Sequence, residues 1–91
     1  MIKSFRHKGL RDVLMRDDAS GVRPDLAERC RARLSALQAA ARPEDMNVPG
    51  SGFHALRGKP KRYAVKVNGP WRITFEWRDG DAWAVDLEQY H

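Results

Sequence analysis

His54, Tyr90 and His91 are the residues of this 91-residue chain best suited to moving protons. Arg57, Lys59, Lys61, Arg62, Lys66 and Arg72 supply positive charge along the same half of the sequence. Together they suit metal-free cleavage of an RNA phosphodiester. In that reaction the ribose 2′-OH attacks the adjacent phosphorus, a base takes its proton, and an acid protonates the departing 5′-oxygen. Cations steady the extra negative charge on the phosphorane. Arg57 and Arg72 can bind phosphate oxygens bidentately, and the need for a 2′-OH restricts such chemistry to RNA. Each residue also has a plainer role. A terminal His often belongs to a frayed tail, Tyr90 can cap a sheet edge, His54 can be a hydrogen-bonded core histidine, and Arg72 can simply pair with Glu88 across two strands.

Other chemistries find little in the sequence. The three His residues are far apart and no Cys pair or Asp-x-Asp cluster accompanies them, so neither a metal nor another cofactor is expected. No glycine-rich phosphate loop precedes a helix, and nothing resembles a nucleophile elbow. The net charge of +5 favours a polyanionic partner. Its distribution says more than its size. No Asp or Glu occurs from Met46 through Phe75, the stretch that holds all six of the cations named above. The absence of a roughly 18-residue apolar run excludes a membrane span, no signal peptide is visible, and the single Cys30 suits a reducing compartment. The expected location is the cytoplasm.

The elements that must position these groups are legible from periodicity. The length points to one domain spanning 1–91. Ile2 to Phe5 reads as a short edge strand. Leu10, Val13 and Leu14 recur at helical spacing. A second helix opens at Pro24, with Leu26, Cys30, Leu34, Leu37 and Ala41 on one apolar face. Residues 42–52 form a connector with room for one helical turn after Pro43. The period then changes to two. Tyr63, Val65 and Val67 share a face, as do Trp71, Ile73, Phe75 and Trp77, followed by Trp83, Val85 and Leu87. The expected fold class is α+β, two helices packed on an antiparallel sheet. Pairing Trp77 with Trp83, Phe75 with Val85 and Ile73 with Leu87 implies a three-residue loop at 79–81. The same register sets Arg72 opposite Glu88 and brings Tyr90 beside Arg72.

The chain resembles the HigB killer proteins of the RelE/ParE toxin superfamily. The resemblance runs from Ile2-Lys3-Ser4-Phe5-Arg6-His7-Lys8-Gly9-Leu10 through Arg42-Pro43-Glu44-Asp45-Met46-Asn47 and His54-Ala55-Leu56-Arg57-Gly58. It continues in Val67-Asn68-Gly69-Pro70-Trp71-Arg72-Ile73-Thr74-Phe75 and Gly80-Asp81-Ala82, and closes on Glu88-Gln89-Tyr90-His91. It implies a RelE-like fold and a toxin of a type II toxin–antitoxin system. The implied activity is a ribosome-dependent endoribonuclease, an mRNA interferase that cuts mRNA in the decoding site and inhibits translation. The implied partners are the ribosome, mRNA and a helix-turn-helix, HigA-like antitoxin, with operator DNA bound only through the antitoxin complex. By the same resemblance His54, Tyr90 and His91 take catalytic roles and Arg72 the phosphate role, with Arg57 at the usual Lys or Arg position. Three residues depart from the family pattern. Gln89 stands where an Asp is usual, Ala55 where a Pro is usual, and Pro70 where an Asn is usual. A neutral amide cannot act as a base, so Gln89 and its neighbour Glu88 are expected to support the site. Two alternatives accompany the enzyme: a non-catalytic gyrase inhibitor like the ParE toxins, and a weakly active relative that mainly binds its antitoxin.

Overall fold

The structure, a computed structural model, describes residues 1–90; the expected role of His91 lies outside the described residues. Two helices, α1 (Lys8–Arg16) and α2 (Pro24–Ala39), precede a 3₁₀ turn at Pro43–Met46. Four strands follow: β1 (His54–Ala55), β2 (Arg62–Asn68), β3 (Trp71–Arg78) and β4 (Asp81–Gln89). They form one antiparallel sheet in the order β1-β2-β3-β4. The helices cover one face, giving the α+β arrangement that the period change implied.

Local chemistry explains where the helices start and stop. His7 caps α1, its ring Nδ1 accepting from the Leu10 N–H at 3.1 Å, so its role is to satisfy a helix end. Pro24 begins α2, where its missing N–H costs nothing. Leu26, Cys30, Leu34 and Leu37 are buried as the stripe required. Ala41 is not part of it: α2 ends at Ala39, Ala40 is extended, and Ala41 is exposed. The Asp45 carboxylate accepts from the Ala41 and Arg42 N–H groups at 2.8 and 3.3 Å and turns the chain into the 3₁₀ segment.

The core lies between the helices and the sheet. Leu10, Val13, Leu26, Cys30, Leu34 and Leu37 meet Val65, Val67, Ile73, Phe75, Ala82 and Val85. Tyr63 continues this layer toward the sheet's margin, stacked between Phe53 and Phe75 with ring centroids 5.7 Å from each. Burial pushes the Cys30 thiol up to about 11, the behaviour of a small core hydrophobe.

Two expectations for the sheet need correction. Ile2 to Phe5 is not a strand; it makes only two isolated parallel bridges, Ile2 to Ala82 and Phe5 to Val85. Between the bridges the ladder is broken at Ser4, whose hydroxyl accepts from the Ala84 N–H at 2.8 Å while its carbonyl accepts from the Val85 N–H at 3.1 Å. The segment still shields the edge of β4. The β3–β4 register also differs from the expected one near the turn. Arg78 pairs with Asp81 and Trp77 with Ala82, leaving a two-residue Asp79-Gly80 turn with both residues at positive φ. Trp83 therefore opposes Glu76, not Trp77, and stands on the polar face. A bulge then resets the register, with Ala84 at φ 52°. Beyond it Thr74 faces Asp86, Ile73 faces Leu87 and Arg72 faces Glu88. The tight Asp-Gly turn and an apolar inner face are both kept because one extra residue is absorbed at the bulge.

Candidate active site on the open face of the sheet

The face turned away from the helices is built in rows. His54, Ala64, Thr74 and Asp86 form one, and Lys66, Arg72 and Glu88 the next. Arg62, Glu76 and Trp83 make a third row toward the β3–β4 turn. Alternation along β4 puts Tyr90 on this face as well, beyond Glu88, with its N–H held by the Pro70 carbonyl at 2.8 Å. The same alternation turns Gln89, which opposes Trp71, toward the other side.

Arg72 and Tyr90 are brought together as the register implied. The guanidinium carbon lies 5.9 Å from the Tyr90 ring centroid, within the range of a cation–π contact. Nη1 of Arg72 also donates to the carbonyls of Gly69 at 2.7 Å and Trp71 at 3.0 Å. These bonds hold the cation at the turn before β3. The Pro70 departure therefore leaves Arg72 anchored, with Gly69 supplying the positive φ of 55° that the turn needs.

Below this pair runs a network that spacing did not reveal. Arg62 reaches diagonally over the sheet and donates to Glu88 Oε2 at 2.7 Å. The buried Thr74 hydroxyl donates to the same carboxylate oxygen. The reach is open because the intervening residue of β2 is Ala64. Burial raises the carboxyl pKa of Glu88, but the Thr74 and Arg62 hydrogen bonds and the Arg62 and Arg6 charges outweigh it. The net result lies below the ordinary glutamate value. Tyr90 moves the opposite way: burial and the Glu88 charge raise its phenol above the ordinary value, against partial opposition from Arg62 and Arg72.

His54 stands apart. It is exposed on β1, and its Nδ1 lies 2.9 Å from the Gly52 carbonyl. Since a carbonyl only accepts, Nδ1 carries the hydrogen and is committed to that bond. Three strand spacings, about 15 Å, separate the backbones of β1 and β4, so His54 does not touch Tyr90. Of the expected phosphate ligands, Lys66 lies opposite Arg72 and is exposed. Arg57, Lys59 and Lys61 are exposed in the β1–β2 connection, toward the other end of β2 from Tyr90. Lys61 rests over the Tyr63 ring at 5.8 Å. Arg62 is half-buried in its ion pair rather than free. Thr74 was the residue missed. Its only signal was a hydroxyl on the polar side of β3, between the charged Arg72 and Glu76. Among the described residues, no group of three or more His, Cys, Asp or Glu could hold a metal ion.

The sequence that builds this face has relatives among known proteins. Residues 3–91 match the model of the RelE-like toxins of the type II toxin–antitoxin system HigB. The chain belongs to this family. Over 92 aligned residues, covering 100% of both chains, it is 37% identical to a Proteus vulgaris protein named endoribonuclease HigB. Membership in a type II toxin family implies an antitoxin as partner for this HigB-like chain. Among the described residues no helix is long and apolar enough to cross a membrane.

Proposed function

We propose that this HigB-like toxin is an endoribonuclease that cuts mRNA in the decoding site of the ribosome, by metal-free attack of a ribose 2′-OH on its own 3′-phosphate. The observation that carries this reading is the Arg72 guanidinium beside the Tyr90 phenol on a basic sheet face. Arg72 sits where it can bind two phosphate oxygens and compensate the charge that develops on them. Tyr90, like any phenol, carries its proton at neutral pH, so it serves as a donor toward the departing 5′-oxygen. His54, its Nδ1 committed to the Gly52 carbonyl, receives the 2′-OH proton at Nε2 from a nucleotide bound within hydrogen-bond reach of it. His91 is the second candidate for proton transfer. Arg57, Lys59, Lys61 and Lys66 guide the RNA backbone, and Glu88 positions the strand that leads to Tyr90. A helix-turn-helix antitoxin neutralises the toxin, and operator DNA is bound only through that complex. The identity to a relative named an endoribonuclease supports the activity.

Induced in bacteria, the native chain should arrest translation and leave transcripts cut within codons, mapped by primer extension. Tyr90→Phe and Arg72→Ala should each slow single-turnover cleavage on isolated translating ribosomes by about 100-fold or more, and His54→Ala should relieve the arrest. Intact transcripts from arrested cells would sink the proposal, and cleaved gyrase–DNA complexes in their place would favour the ParE-like alternative.

A further inference from the structure

A concavity lies away from Arg72 and Tyr90, near the bulge in β4. It is a cleft of ≈ 220 Å³ lined by Arg6, Pro60, Arg62, Glu76 and Ala84. Its walls come from four separate parts of the chain: the N-terminal segment, the β1–β2 connection with β2, β3, and β4. Three features suit it to a ligand. Two arginines from elements remote in sequence line it, and Arg6 is exposed. The floor is the bulge itself, where Ala84 takes a positive φ of 52° that favours glycine. Strain of this kind concentrates at functional sites, and bulges commonly adjoin them. The third feature is Glu76, whose side chain is only 16% exposed and stands 3.8 Å from Arg78. Its carboxylate repels a second phosphate and so orients a ligand with its anionic end toward Arg6.

We propose that this cleft binds one nucleotide of the RNA strand outside the scissile pair, its phosphate held by Arg6, with Arg62 kept in its ion pair with Glu88 at the cleft's edge. The inference rests on the reading of the open face as an RNA surface and extends it along the sheet to the bulge. Arg62 would then link two places: its ion pair with Glu88 supports the strand carrying Tyr90, while its guanidinium edges the cleft. Single-stranded RNA follows a basic groove of this kind through its backbone.

The test uses the whole chain and a fluorescein-labelled octamer of 2′-O-methyl RNA, which has no free 2′-OH to attack and so binds without being cut. Anisotropy titrations compare the native protein with Arg6→Ala and Arg6→Glu. The controls are Lys8→Ala and Lys8→Glu, which remove the same charge from exposed Lys8 at the start of α1. Arg6→Ala should weaken binding about 5–10-fold, Arg6→Glu further, and the Lys8 variants less than about twofold. Equal losses at both positions would overturn the cleft and leave only general charge attraction. The outcome is separable from the proposed activity. A native chain that cleaves RNA while Arg6 and Lys8 variants bind alike keeps the enzyme and loses the cleft. A chain that binds the octamer through Arg6 yet cuts no transcript keeps the cleft and loses the enzyme.

Discussion

Glu88 accepts from both Arg62 and Thr74, and its carboxyl is held below the ordinary value of 4.5. A depressed folded-state pKa contributes stability that is fully present above the unfolded value and is lost as pH falls through the folded one. Glu88→Gln should therefore cost about 1 kcal/mol at pH 7. The difference between the two proteins should shrink between about pH 5 and pH 3, measured by urea unfolding across that range. A constant gap would mean that the carboxylate charge is not what the network uses. Gln89 poses a different question. Strand alternation sends it away from the face that carries Glu88 and Tyr90. Gln89→Asp should raise mRNA cleavage by less than about threefold, and a much larger gain would mean that a carboxylate there reaches the reacting atoms.

Elements are fitted to one another at close quarters, and glycine marks the closest approach. Gly9 of α1 lies against the backbone of Gly21, which precedes α2, and an added Cβ would run into the Gly21 carbonyl and stand 2.8 Å from the His7 ring. Backbone cannot retreat as a flexible side chain does. Gly9→Ala should destabilise the fold by about 1–3 kcal/mol, despite the higher helix propensity of alanine. Chemical denaturation of the variant gives the value directly, and a neutral or stabilising result would show that α1 shifts freely. The strands carry a similar lesson. The expected three-residue loop protected the inner face from Asp86, but the bulge at Ala84 achieves the same end with a tighter turn.

For the whole molecule, charge placement decides how RNA is met. The acids that balance the helical half are interspersed with its arginines, whereas Arg57, Lys59, Lys61, Lys66 and Arg72 occupy the open face and its margin. If four of these contact phosphates, the logarithm of RNA affinity should fall against the logarithm of salt concentration with a slope of about −3. A slope near zero, from titrations at several salt concentrations, would remove the electrostatic account. The sequence alone determined the helices, the strand periods, the α+β class and the Arg72–Glu88 register, because apolar spacing and antiparallel pairing are local or nearly local constraints. It also carried the family resemblance and the adjacency of Arg72 and Tyr90. Tertiary structure decided what depends on the path of a long side chain or on one residue's shift in a ladder. Arg62 became Glu88's partner, Thr74 joined them, Trp83 moved to the polar face, and Arg6 came to line one cleft with Arg62. Those contacts link residues up to 26 positions apart, from Arg62 to Glu88, and no periodicity within a single strand or helix specifies them.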